Sequence, residues 1–269
     1  MTAFTDRERE QAAHYDNFHA ARAASSLVSQ MYAHAMGDAY PAEVAPNSSC
    51  DWTLLGTLVA RLQLRPGQVL ADLGCGTGGA GLWLARALNV ELVGIDVSAT
   101  AIRLATERRH DFVPADRARF TVGSLETTGL RDAHAHGLLC VDALFNASDR
   151  AAALNEFHRI LTPGGRAVMT RVLPVAVRHT LRSQARSAGF TVEHIDRRRN
   201  EPDLWRRVYQ LWIAHEDDLR RELGHDQAAN MLAEAHRMLP RLENRRAVIV
   251  TLRRTAPSPR PPARLARHH

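Results

Sequence analysis

Residues 69–81 read Val-Leu-Ala-Asp-Leu-Gly-Cys-Gly-Thr-Gly-Gly-Ala-Gly, and the fold turns on how they are read. Val69–Leu73 is an apolar run of the length of a buried parallel strand, interrupted by Asp72 alone. Gly74, Cys75, Gly76, Thr77 and Gly78 follow as a turn, in which glycine reaches backbone angles closed to other residues. Leu82, Trp83, Leu84, Ala87 and Leu88 then supply the apolar positions of a helix. Strand, glycine turn and helix N-terminus in this order offer bare backbone N–H groups to a ligand. The stretch predicts an enzyme that binds a nucleotide-type cofactor.

Outward from this stretch the same alternation repeats. Strands are expected at Val69–Leu73, Glu91–Asp96, Arg119–Val122, Gly137–Val141 and Arg166–Thr170, with helices Gly79–Leu88, Ala99–Arg109 and Ala151–Ile160 between them. That order implies a parallel sheet covered by helices on both faces, with its ligand at the carboxyl ends of the strands. Upstream, Phe18, Ala21, Leu27, Val28, Met31, Tyr32 and Ala35 have helical spacing, Gly37 ends the run, and Asp51 caps a helix Trp52–Leu64 closed by Pro66-Gly67. Downstream, a helix Val177–Ala188 leads to a strand Phe190–Ile195. Two further helices, Pro202–Leu223 and Ala228–Leu239, precede a last strand Ala247–Leu252. Two late strands around a helical excursion predict an antiparallel edge hairpin carrying a cap.

The expected division is therefore an N-terminal helical lid (1–50), a Rossmann-like core (51–200), a helical cap insertion (201–243), a final core strand (244–255) and a disordered basic tail (256–269). The fold class is α/β: a doubly wound, seven-stranded, mostly parallel sheet with an antiparallel edge hairpin.

Composition narrows the function. The N-terminus lacks a signal-peptide core and no segment has the unbroken apolar length of a membrane span, so a cytoplasmic chain is expected. Cys50, Cys75 and Cys140 are odd in number, widely spaced and without metal-ligand spacing, as free thiols in a reducing compartment would be. All 35 basic residues are arginine, and Arg260, Arg264 and Arg267 of the proline-rich tail carry three of the formal +6 charges. The clusters Arg197-Arg198-Arg199 and Arg206-Arg207 read as a solvated face, with none of the aromatic interleaving of an RNA-binding surface. Neither a nucleic-acid nor a membrane partner is expected, and no metal.

Gly74, Gly76 and Gly79 satisfy a dinucleotide fingerprint, with Asp96 placed 22 residues after Gly74 as a ribose-binding acid. Asp72, two residues before the first glycine, speaks against it, because dinucleotide folds want a small apolar residue there. Leu161-Thr162-Pro163-Gly164-Gly165, leading straight into a strand, points the same way. At these residues the chain resembles the class I S-adenosylmethionine-dependent methyltransferases. Asp72–Gly78 is similar to their first motif, Gly94-Ile95-Asp96-Val97-Ser98 to their second, and Leu161–Gly165 to the turn before their fifth strand. The resemblance covers roughly Trp52–Leu252.

It implies S-adenosyl-L-methionine as methyl donor, S-adenosyl-L-homocysteine as product, and a set of residue roles. Asp72 would favour the amino group, Gly74, Cys75 and Gly76 would pass beside the methionine portion, and Asp96 would accept both ribose hydroxyls. Val97 would pack on adenine, and the backbone around Cys140 and Val141 would face the sulfonium. Where many relatives carry an acid for the adenine amino group, Gly123-Ser124-Leu125-Glu126 stands here, so Ser124 would accept that bond or Glu126 would substitute, with Ser124 and Leu125 counted among the cofactor contacts. Tyr15-Asp16-Asn17-Phe18 is similar to an element of small-molecule members in which a helix covers the cofactor, which gives Tyr15 a contact and the lid a reason. A helix of this kind could also exchange between subunits, so a homo-oligomer is compatible.

The stretch Cys140–Asn146 resembles that of relatives acting on sterols, quinones, amines and specialised metabolites. The acceptor is therefore expected to be a mid-sized, partly apolar small molecule, methylated on oxygen, nitrogen or carbon. Trp205, Tyr209, Trp212 and Ile213 are candidates for its pocket wall. Glu43, His14 and His179 are candidates for the catalytic base. The alternative is a cyclisation or rearrangement on the same fold without net methyl transfer.

Overall fold

A computed structural model of the chain describes residues 4–174 and 180–255. The expected tail 256–269, the first residues of the expected helix Val177–Ala188 and His179 lie outside the described residues. The strands are β1 (Val69–Leu73), β2 (Glu91–Asp96), β3 (Ala118–Val122), β4 (Ala135–Cys140), β5 (Leu161–Pro174), β6 (Phe190–Arg197) and β7 (Arg245–Arg254). They form one sheet in the order β3-β2-β1-β4-β5-β7-β6. Every pair is parallel except β7, which runs antiparallel to both β5 and β6. The seven-stranded, mostly parallel sheet with an antiparallel edge hairpin is thus as expected.

The helices are α1 (Asp6–Ala24), α2 (Leu27–Met36), α3 (Trp52–Leu62), α4 (Gly79–Leu88), α5 (Ala99–Arg108), α6 (Arg150–Ile160), α7 (Thr180–Ser187), α8 (Glu201–Ala214), α9 (Glu216–Leu223) and α10 (His225–Met238). Alternate residues of the strands serve two cores. Leu73, Ile95, Cys140, Met169 and Val250 pack with Leu154, Phe157 and Ile160 of α6. Leu70, Leu92, Leu139, Val168 and Ile249 pack on the other face with Leu54, Leu55, Leu58 and Leu62 of α3 and Leu82 of α4. A third core lies off the sheet, where Val28, Met31, Tyr32 and Ala35 of α2 meet Leu204, Val208 and Trp212 of α8 and Ala228, Met231 and Ala235 of α10. The N-terminal helices and the excursion between β6 and β7 therefore share one apolar interior above the sheet.

Three elements depart from the expected boundaries for local reasons. The helix expected over Pro202–Leu223 is two, because His215 leaves helical backbone angles (φ −114, ψ 35) and the acidic run Glu216-Asp217-Asp218 opens a new first turn. The N-terminal run divides at Ser25 and Ser26 into α1 and α2, and Thr5 with Glu8 closes a capping box at the start of α1. β5 starts at Leu161 rather than Arg166, so Pro163-Gly164-Gly165 forms an irregularity inside the strand's span, where its register with β4 shifts between Ala135 and Gly137.

Leu58 is fully buried between α3 and the sheet. Leu58→Ala is expected to lower unfolding stability by about 2–5 kcal/mol in guanidinium titration. A loss below ~1 kcal/mol would show that this interior is loosely packed.

Candidate active site

The parallel strands end along one edge of the sheet, and a cavity of about 990 Å³ opens above them, walled on its far side by α1, α2, α8 and α10. Asp96, the last residue of β2, is 9% exposed. One carboxylate oxygen accepts from the Gly76 N–H at 2.8 Å and the other from the Ser98 N–H at 2.9 Å. Each oxygen keeps lone-pair capacity for one further donor. Ser98 caps α5 and gives its hydroxyl proton to Asp16 of α1 at 2.6 Å, and Asp16 also accepts from the Thr100 N–H at 2.8 Å. The N-terminal helix is therefore fastened to the loop that follows Asp96.

Two glycines of the turn have different reasons. At Gly74 (φ +71) a Cβ would lie 2.3 Å from the Ala143 side chain, so packing of the β4 loop, rather than a ligand, forbids a side chain there. At Gly76 (φ +52) the nearest atom to such a Cβ is His19 Cε1 at 3.5 Å, so the backbone angle demands glycine while the space above it is open.

Of the residues singled out in the sequence, Tyr15, Asp72, Gly74, Cys75, Gly76, Asp96, Val97, Ser124, Leu125 and His14 all line this cavity. The Cys140 side chain does not. It is wholly buried in the core under α6, and its neighbour Val141 is the residue at the wall. Glu43 lies outside the cavity wall: its carboxylate accepts from Trp83 Nε1 at 2.7 Å and pairs with Arg86 on the surface of α4. A loop acid with an arginine one helix away takes that arginine, so the geometry gives Glu43 a structural task. Ile213 lies outside the wall, whereas Trp205, Tyr209 and Trp212 belong to it, joined by Tyr32. Their rings meet at 5.2–6.4 Å between centroids.

Other residues of the wall carry no sequence signature. His19 is buried, and burial together with Arg22 lowers its pKa to about 4, which keeps the imidazole neutral. Asp142, just past β4, has φ +49, a strained angle for a residue with a side chain. Four bonds hold it there. It accepts from Ser49 N (2.9 Å), Ser49 Oγ (2.5 Å) and Thr170 Oγ1 (2.8 Å), while its own N–H donates to Thr170 Oγ1 (2.7 Å). Arg198 donates in turn to the Ser49 hydroxyl at 2.6 Å and its side chain is 7% exposed, so the expected solvated arginine cluster has one member built into the site. Glu201, the first residue of α8, is 5% exposed; one oxygen pairs with Arg245 and the other has no partner among the described residues. Burial raises its pKa.

Residues 70–165 match the family model for a methyltransferase domain. The methyltransferase GfsG of Streptomyces halstedii is 26% identical over 207 residues, covering 72% of this chain and 71% of its own. An O-methyltransferase of Pyrenophora dematioidea is 32% identical over 106 residues, 39% of this chain and 40% of that protein. Among solved structures, the [4+2]-cyclase SpnF superposes with a TM-score of 0.68 at 22% identity, covering 76% of this chain and 82% of its own. These similarities support a class I S-adenosylmethionine-dependent methyltransferase domain over residues 70–165.

The donor set fits the methyltransferase cofactor better than a dinucleotide. Asp72 and Asp96 are both buried beside the glycine turn, and burial raises the pKa of each, with the Asp96 charge adding to the effect on Asp72. A ligand bearing a sulfonium and an ammonium relieves that repulsion, whereas a pyrophosphate would meet it as a third like charge. Among the described residues no group of histidine, cysteine and acid side chains converges as a metal site, and no helix is long and apolar enough to cross a membrane.

The Asp72 pKa is raised to about 7. Between the ordinary aspartate pKa near 4 and this value the unfolded chain ionises while the folded one holds its proton, so this group removes stability as pH rises from about 4 to 7. In ligand-free protein, wild type minus Asp72→Asn is expected to show that decline by denaturant titration at each pH. A difference flat across the window would contradict the raised pKa.

Proposed function

We propose that the enzyme transfers a methyl group to a hydroxyl of a mid-sized, partly apolar small molecule, of the kind found among specialised metabolites. The observation that carries this reading is the continuity of the cavity. One space runs from the glycine turn and Asp96 to the aromatic wall of Tyr32, Trp205, Tyr209 and Trp212, so a donor at one end and an apolar acceptor at the other share it. Three relatives at 32–33% identity over 39–40% of this chain are O-methyltransferases and four at 30–31% over 40–42% are phosphoethanolamine N-methyltransferases; the oxygen acceptor is preferred because a buried carboxylate, Glu201, lines the cavity as a base for its proton.

S-adenosylmethionine, when bound, supplies a methyl carbon made electrophilic by its sulfonium. Asp96 would hold the ribose diol through the lone pairs not taken by Gly76 and Ser98, and Asp72 the amino group. Val97 and Leu125 would flank the adenine. Tyr15, with α1 fastened by Asp16 to Ser98, would close the site against water as a lid; α1 buries only Glu8 and His19, so little apolar contact opposes its release.

Glu201 is the group placed to take the acceptor's proton. Its buried, unpartnered oxygen would receive the hydroxyl hydrogen as the hydroxyl oxygen bonds to the methyl carbon and the carbon–sulfur bond breaks with its electron pair to sulfur, leaving S-adenosylhomocysteine; the proton would pass to solvent once product departs. Arg245 on the other oxygen fixes the carboxylate's orientation. His14, a candidate base from the sequence, lines the same cavity.

Incubating the protein with S-adenosylmethionine and extracts or panels of hydroxylated metabolites is expected to release S-adenosylhomocysteine and a product heavier by one methylene, seen by mass spectrometry. A product of unchanged mass would instead identify a cyclisation or rearrangement. Glu201→Gln is expected to lower kcat by about 10²–10⁴-fold while S-adenosylhomocysteine affinity stays constant. Unchanged kcat would remove Glu201 from the chemistry.

A further inference from the structure

Seven arginines line the cavity, and four of them, Arg150, Arg171, Arg237 and Arg241, have no partner among the described residues. The other three have partners: Arg22 donates to the Phe18 carbonyl, Arg245 pairs with Glu201, and Arg198 is bound by Ser49 and close to Asp51, while Arg237 and Arg241 belong to the far wall, in and just after α10. Arg171, near the end of β5, and Arg150, the first residue of α6, both line the cavity, yet neither forms an ion pair or a side-chain hydrogen bond with any described residue. The acids that could reach them are committed elsewhere. Both oxygens of Asp142 are taken by Ser49 and Thr170. Asp149 caps α6 through the N–H groups of Ala151 and Ala152, and Glu126 accepts from the Asp149 N–H.

Arg171 is half-buried and Arg150 exposed. Both face the cavity from two elements packed on each other, β5 and α6, and burial and the positive charge of Arg150 lower the Arg171 pKa while Cys140 acts the other way. Such a pair is unfavourable in the empty site and becomes favourable with an anion between its members, because guanidinium forks bind carboxylate and phosphate oxygens by paired, charge-assisted hydrogen bonds. Phe145 (65% exposed) and Val172 (48% exposed) belong to the same part of the wall, so an apolar body would be accommodated beside the charged group.

We propose that the acceptor of this enzyme is an amphiphilic anion whose carboxylate or phosphate is bound jointly by Arg171 and Arg150 at the β5–α6 side of the cavity. The assignment rests on the methyltransferase reading above and names the chemical class of its substrate. It also sets the acceptor's orientation: its anionic end lies at Arg171 and the rest of the molecule extends across the cavity toward the aromatic wall.

The test uses protein saturated with S-adenosylhomocysteine and titrated calorimetrically with octyl phosphate, octanoate and octanol. At least one of the two anions is expected to bind saturably and about tenfold or more tightly than octanol, with weakening at high salt. Arg171→Gln and Arg150→Gln are each expected to weaken that binding by about tenfold, with Arg171→Lys intermediate and S-adenosylhomocysteine affinity unchanged throughout. A preference for octyl phosphate or for octanoate identifies which anion the acceptor carries. Octanol binding as tightly as both anions, or full anion affinity in the Arg150→Gln/Arg171→Gln double variant, would overturn the proposal. If Arg171→Gln fails to fold, the exposed Arg150→Gln alone decides the outcome. Wild-type protein that does not bind S-adenosylhomocysteine would fail the methyltransferase reading instead, at a separate step of the same experiment.

Discussion

A carboxyl group taken out of water needs donors aimed at it, and Asp96 obtains them from two loops at once. The N–H of Gly76 belongs to the turn after β1, and the N–H of Ser98 belongs to the turn after β2. Because Asp96 is nearly buried, these bonds act at low dielectric and hold both turns in register with the strand ends. Ser98 passes the constraint on through its hydroxyl to Asp16, and so positions a helix eighty residues away in sequence. The glycine turn, the start of α5 and the N-terminal helix thus share one anchor. The same anchor leaves acceptor capacity facing the cavity, where a ribose diol would find it.

The core of the fold was legible because each of its elements carries its own pattern. Val69–Leu73, Glu91–Asp96 and their helices have strand and helix periods bounded by glycine, aspartate or proline, and the structure keeps these boundaries within a residue or two. The breaks that escaped are those set by packing rather than by punctuation. Leu211–Leu219 holds no glycine or proline, and its acidic run Glu216–Asp218 also suits a solvated helix face, yet the chain turns at His215 so that α8, α9 and α10 can close around Trp212 and Leu219. Likewise Pro163-Gly164-Gly165 reads as a turn from its composition, while the ladder on either side carries it within a strand.

The candidate site divides in the same way. Its donor half is made of backbone and of acids at strand ends, and both are visible as glycines and aspartates at fixed separations. Gly74 shows that the right residue can be found for an incomplete reason, since the clash that excludes a side chain comes from Ala143. The facing part of the wall and its support are assembled from Ser49, Asp142, Thr170, Arg198 and Glu201, which are separated by up to 152 positions and meet only through tertiary structure. No spacing rule joins them. Glu43 was conspicuous because it stands in a loop near the expected mouth, whereas Glu201 was hidden as one more acid at the start of a helix.

The helices that carry the aromatic wall enter and leave the sheet through β6 and β7, which pair directly with each other. A ladder closed in this way does not depend on what is spliced between its two strands. Replacement of the segment from α8 to α10 by another of different length would leave the parallel half and its glycine turn structurally intact. The architecture thus separates what is inherited as a common scaffold from what can be exchanged, and new substrate ranges can arise by swapping one contiguous stretch of chain.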